Sequence, residues 1–132
     1  MNFNNFTIKA QEAIGKAQEI ALAKQNQALE NAHIMKGIFT TDENVTPYLF
    51  KKLSVNLDIF TRALDKIIES FPKVTGGEIH LSNNANAALQ KALSISQEFR
   101  DDFVSIEHLL LGMLAVKDNV SQLMKDNGIS EK

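Results

Sequence analysis

None of the 132 residues is cysteine. That removes disulfide frameworks, cysteine nucleophiles and thiolate metal sites together, and it is compatible with a reducing compartment. Proline is scarce too: Pro47 and Pro72 are the only two. Glycine occurs six times, while Ala, Leu, Gln, Lys and Glu are plentiful, a balance that favours helices. Neither sign of charge prevails, with 14 Lys+Arg against 16 Asp+Glu and a net charge of -2. So weak an acidic balance attracts neither phosphate backbones nor anionic lipid, and neither nucleic acid nor a membrane is expected as a partner. No segment approaches the about 20 apolar residues of a membrane span. Residues Met1 to Phe6 show no basic region leading into an apolar run. No signal peptide is therefore expected, and a cytoplasmic location is.

What is present is helical spacing in a chain of single-domain length. Thr7 can cap a first helix whose apolar positions, Phe6, Ala10, Ala13, Ile14, Ala17, Ile20 and Ala21, recur at threes and fours. A second helix is expected over about 31–40, with Ile34, Ile38 and Phe39 inward. Thr46-Pro47 reads as a cap and first helical position of a third, burying Tyr48, Leu49 and Leu53. A fourth starts near Asp58, buries Phe60, Leu64, Ile67, Ile68 and Phe71, and is stopped by Pro72. Residues 73–78 are the only loop-like stretch. A fifth helix follows Ser82, with Ala85, Ala88, Leu89, Ala92, Ile95 and Phe99 on one stripe. A sixth follows Ser105 and is apolar nearly all round, which predicts burial on several sides. A seventh follows Asp118 and closes at Gly128, a natural C′ position.

The two halves repeat. A shift of 75 carries Phe6 to Leu81, Thr7 to Ser82, Ala13 to Ala88, Ala17 to Ala92, His33 to His108, Gly37 to Gly112 and Val45 to Val120 without a gap. One residue then drops out, and Ser54 pairs with Gly128. A match through caps, core and glycines in order is the mark of duplication. The expected fold is all-α: two tandem four-helix repeats related by a pseudo-two-fold axis, with a groove where the halves meet. Repeat one should cover about 1–72, the linker 73–80 and repeat two 81–132. The fourth helix of repeat two should begin near Ser130 and is cut short, so the chain reads as a piece of a longer protein.

Catalytic and metal-binding readings are weak. His33 and His108 with Glu107 invite a metal site, but nothing else clusters at ligand spacing, and a histidine at the third position of each helix serves as well to cap the preceding turn. Thr7, His108 and Asp101 can be drawn as a hydrolytic triad, yet no nucleophile turn or oxyanion glycine motif accompanies them. No Gly-x4-Gly-Lys-Ser/Thr phosphate cradle is present, so no enzymatic activity and no cofactor are expected of the chain itself.

The stretches Phe6-Thr7-x-Lys9-Ala10-Gln11-Glu12-Ala13, His33-Ile34-Met35, Phe71-Pro72-Lys73-Val74 and Ser105-x-Glu107-His108-Leu109-Leu110 resemble the twice-repeated Clp N-terminal domain that opens the Clp AAA+ unfoldases. Gln11 to Ile14 and the Phe-Pro-Lys-Val linker are more similar to the ClpB disaggregase branch than to the protease-coupled ClpA and ClpC branches. The resemblance implies a non-enzymatic module that engages unfolded or aggregated polypeptide and passes it to an ATPase ring. It implies a parent that is a homohexamer, binds ATP and magnesium, and works with a DnaK-type chaperone. It places substrate engagement on Thr7, Asp101 and Glu107, beside an apolar groove expected to include Leu89, Ile95 and Leu109. Two of the polar three have a structural reading as well, since Thr7 is an N-cap and Glu107 sits where a helix dipole favours an acid. The alternatives are an adaptor-docking module of a ClpA/ClpC-type unfoldase and a small helical metal protein or enzyme.

Overall fold

The computed structural model describes residues 3–129. Local chemistry starts each helix where the sequence invites it. The Thr7 Oγ1 accepts the Ala10 N–H at 3.1 Å and opens α1 (Ile8–Ala23). Ser82 does the same for Ala85 at 3.0 Å and opens α5 (Asn83–Glu98). Between them lie β1 (Ala28–Leu29), α2 (Asn31–Thr41), α3 (Val45–Lys52), α4 (Leu57–Glu69) and β2 (His80–Leu81); α6 (Ile106–Ala115) and α7 (Asn119–Asp126) follow. The fold is all-α apart from these two-residue strands, which the periodicity did not announce.

The start of α3 departs from expectation. Its N-cap position is Asn44, not Thr46, and the capping side chain is that of Asp42: the Asp42 carboxylate accepts the N–H groups of Asn44, Val45 and Thr46 and the Thr46 hydroxyl, at 2.7 to 3.2 Å. The helix therefore opens two residues early, with Thr46 buried inside it. This turns Tyr48, Leu49 and Leu53 outward to 59%, 36% and 42% exposure, and Phe50 takes the core position instead. Phe50 and Phe60 meet edge to face at 5.1 Å, and both pack on Phe39. Phe99 is likewise not on the buried stripe of α5: it caps the helix C-terminus and is 63% exposed, while Ser96 turns inward.

The halves superpose in their bonding. α1 packs on α2 as α5 packs on α6. A Cβ on Gly37 would stand 2.2 Å from the Ala13 carbonyl oxygen, and one on Gly112 would stand 2.4 Å from that of Ala88. The glycines are where the paired helix backbones touch. The His33 Nδ1 accepts the Glu30 N–H as the His108 Nδ1 accepts the Ser105 N–H, both at 2.9 Å. The other ring nitrogen of each meets Asn26 (2.8 Å) and Asp101 (2.9 Å), which are themselves 75 apart. Gln25 and Arg100 share a φ of +58°, and Ser54 (+63°) matches Gly128 (+82°).

The halves are stitched together by a pair of exchanged parallel bridges. Leu29 pairs with Leu81, and Phe6 pairs with Val104. The Thr7 N–H reaches the Val104 carbonyl at 2.9 Å; its counterpart, the Ser82 N–H, reaches the Leu29 carbonyl at 3.0 Å. Each bridge thus joins the entry of one repeat's first helix to the entry of the other repeat's second helix. Across the junction α2 packs against α5, α6 and α7, and α4 against α7.

A hollow of about 810 Å³ lies on repeat two among Lys91, Leu114, Val116 and Ile129. Leu114 matches Phe39, which α4 covers in repeat one. The expected counterpart of α4, beginning near Ser130, lies outside the described residues.

Candidate functional site

The exchanged bridges create two related hollows at the junction. The first, about 440 Å³, lies between the starts of α1 and α6, with the α2–α3 turn closing one side. Thr7, Ile8 and Lys9 enter from α1, Ser105, Ile106 and Glu107 from α6, and Asp42 and Val45 from the turn. Ile8 is 77% exposed and Val45 is 50% exposed, so two branched apolar side chains stand open at its mouth. Phe6 and Val104, the bridged residues that precede Thr7 and Ser105, are each 3% exposed or less.

The polar groups are placed by capping. Thr7 presents its hydroxyl as the cap of α1. Glu107 is the second residue of α6; it is exposed and accepts the Ser105 hydroxyl at 3.0 Å. Burial pushes the Asp42 carboxyl up, but the Thr46 hydroxyl and three backbone donors outweigh that and hold it below the usual carboxylate range. Asp42 is therefore ionised and fully occupied with its own turn. The Lys9 ammonium is bonded to the Thr41 carbonyl at 3.1 Å, which fastens α1 to the same turn.

Thr7 and Glu107 thus line one hollow. Asp101 does not line it. Asp101 sits in the α5–α6 connection and accepts the His108 Nε2–H at 2.9 Å, with about half of its side chain exposed. Through His108, whose Nδ1 grips the Ser105 N–H, it orients the first turn of α6 that carries Glu107. The apolar assignments need correction. Leu89 and Leu109 are each 1% exposed and belong to the core, where their area is already spent on α5–α6 packing. Ile95 is half-buried on α5 and lines neither junction hollow. Ile8 and Val45 supply the accessible apolar surface. The available signal was an isoleucine directly after a cap, off the buried stripe of its helix.

Neither the metal nor the triad reading gathers its residues. Both nitrogens of His33 and of His108 are engaged in fixed hydrogen bonds, and the Thr7 hydroxyl serves Ala10. Among the described residues no three His, Cys, Asp or Glu side chains group to hold a metal ion. None of the described helices is long and apolar enough to cross a membrane.

The second hollow is the repeat-related counterpart of the first. It lies between the starts of α5 and α2 and encloses about 220 Å³. Asn84 stands there for Lys9, Asn31 for Ile106, Ala32 for Glu107 and Val120 for Val45. Duplication has left one apolar groove and one polar one.

Fold and hollows define a duplicated helical module with two related hollows at the junction of its repeats. The chain belongs to the Clp repeat N-terminal domain family, which it matches over residues 5–127. It is 50% identical over all 132 of its residues to the chaperone protein ClpB of Bacteroides thetaiotaomicron, and 39% identical over the same length to that of Porphyromonas gingivalis. It spans about 15% of the length of each of these relatives. The crystal structure of the Hsp104 N-terminal domain from Candida albicans superposes with a TM-score of 0.85 at 26% identity, covering 97% of this chain and 85% of that one. The N-terminal domain of ClpD from Arabidopsis thaliana shares the fold, with a TM-score of 0.75 at 19% identity over 99% of this chain and 90% of that one.

Proposed function

We propose that the α1/α6 groove captures extended segments of unfolded or aggregated polypeptide for a ClpB-type, ATP-dependent disaggregase. The observation that supports this reading is the open pair Ile8 and Val45 beside the Thr7 hydroxyl and the Glu107 carboxylate. An apolar side chain of a non-native chain rests between the two residues, removing roughly 25 cal/mol per Å² of covered apolar surface from water. Glu107 accepts a backbone N–H that a folded chain would keep internally paired. Each such bond contributes about 1 kcal/mol, so capture is weak and indifferent to sequence. In a homohexameric parent, several tethered copies raise the effective concentration and offset the poor single-site affinity. ATP and magnesium belong to the ring, and handover from there, with a DnaK-type partner in the cytoplasm, completes the reading.

An NMR titration of the chain with a reduced, carboxymethylated and permanently unfolded protein tests it. Shifts should concentrate on Ile8, Val45, Ser105 and Glu107. Glu107→Ala should weaken binding about fivefold, the equivalent of one hydrogen bond. Thr7→Asn keeps the helix cap and removes the hydroxyl, so a loss of binding in a folded variant isolates the hydroxyl's part. Shifts spread evenly over the surface, or binding unchanged in both variants, would sink the assignment. Shifts seen only with a folded adaptor would favour the docking alternative.

A further inference from the structure

The end of α7 carries a residue pair that its turn does not demand. Asn127-Gly128 is the only Asn-Gly in the chain. It closes α7 as Leu53-Ser54 closes α3: the Gly128 N–H donates to the Lys125 carbonyl and the Ser54 N–H to that of Lys51, both at 2.9 Å. Gly128 takes a φ of +82° and Ser54 one of +63°, so repeat one builds the same turn with neither residue. Asparagine is a thermolabile residue, and a following glycine is its least protective neighbour, because no side chain shields the glycine nitrogen from the asparagine amide carbon. In the fold both reacting groups are tied down. The Asn127 Nδ2 donates to the Leu123 carbonyl at 2.8 Å, and the Gly128 N–H is held by Lys125. Gly128 is exposed and Asn127 half-buried, so water reaches the pair as soon as the turn lets go.

We infer that Asn127-Gly128 is a spontaneous modification site, which the folded cap keeps closed and the opening of the last turn of α7 releases. Once the turn opens, the Gly128 nitrogen gives up its proton to solvent and attacks the Asn127 Cγ. An N–Cγ bond forms, the Cγ–Nδ2 bond breaks, and the amide nitrogen leaves as ammonia with a proton from solvent. Water then opens the succinimide at either carbonyl. One product is aspartate in the normal backbone; the other is isoaspartate, whose backbone runs through Cγ. Neither rebuilds the cap. An ionised carboxylate cannot donate to the Leu123 carbonyl, and its charge sits at the negative end of the helix dipole. Isoaspartate also lengthens the backbone by one carbon. The modified chain therefore keeps an irreversible record that α7 has opened. The inference concerns the end of α7 alone and stands whether or not the apolar groove binds substrate.

The 132-residue chain, incubated at neutral pH with and without unfolding urea and sampled by peptide mapping, tests this. A gain of one dalton should appear first in the peptide that holds Asn127, at least about tenfold more slowly in the native chain. The ratio of native to unfolded rates should match, within about threefold, the open fraction given by hydrogen exchange of the Gly128 N–H, since one opening frees both groups. Asn127→Gln keeps an amide but must close a larger ring, so the gain should vanish from that peptide. Asn127→Asp makes one product directly and should speed Gly128 exchange several-fold. Equal rates in the native and unfolded chain, modification of another asparagine first, or Gly128 exchange unchanged in Asn127→Asp would overturn the inference.

Discussion

At the scale of single residues, matched positions carry matched chemistry only where the surroundings match. Asn26 and Asp101 both hold a histidine Nε2–H, yet Asn26 is 3% exposed and Asp101 stands open. A carboxylate in the closed site would lose its hydration, so the buried copy uses the neutral amide. Glycine shows the opposite, strict conservation of geometry between the copies. Gly37 and Gly112 each face a carbonyl oxygen that a Cβ would strike, and the struck atom is backbone, which yields little. Gly15 lies inside α1 with nothing within 4 Å of its would-be Cβ. Gly15→Ala should therefore stabilise by up to about 1 kcal/mol through helix propensity. Gly37→Ala and Gly112→Ala gain the same propensity but force the helices apart, for a net loss of about 2 kcal/mol. Urea midpoints of the three variants check this; stabilisation by all three would refute the close-contact role.

Helices are where the sequence was most and least informative. Caps at Thr7, Ser82, Ser105 and Asp118 were legible because a short polar side chain before an apolar stripe has one low-energy use. α3 was not, because its cap lies three residues outside it and Thr46-Pro47 offers a plausible start. Asp42→Ala removes the four bonds its carboxylate accepts and leaves the Thr46 hydroxyl buried without its acceptor. It should cost about 2 kcal/mol and lower helical circular dichroism. Because the Asp42 pKa is lowered in the fold, its contribution is present above the ordinary carboxylate range and fades in acid. His33 at the start of α2 sets a second pH dependence. Burial lowers it from 6.5 to about 4, so between those values the unfolded chain holds a proton that the folded chain does not. Stability is full above about 6.5 and falls on acidification toward 4, by on the order of 3 kcal/mol. Urea unfolding at pH 7 and pH 4.5, with the imidazole followed by NMR, measures this. A His33 that titrates near 6.5 in the folded protein would contradict it.

For the whole molecule, neither repeat is complete alone. Phe6 of the first lies beneath Val104 of the second, and Leu29 beside Leu81. A chain ending at Gly76 loses those bridges and exposes the α2 face that meets α5, α6 and α7. It should show no cooperative urea transition, whereas the full chain should show one seen alike by circular dichroism and fluorescence-independent probes such as amide exchange. A fully cooperative half would mean that the bridges are incidental.

Residue order alone determined the helices, the duplication and the family resemblance, because capping and apolar period act within a few residues and the repeat is written twice in the chain. It also placed Thr7 and Glu107 at helix entries, although their meeting in one groove requires the exchanged bridges. Only the tertiary structure decided which leucines are core and which apolar groups stay open. Leu89, Leu109 and Ile8 are chemically alike, and the packing of α5 on α6 buries the first two while Ile8 points away from any partner. It alone revealed that the junction has two faces of different character, since the divergence of Ile106 from Asn31 acquires meaning when each is seen to fill the same place in related hollows.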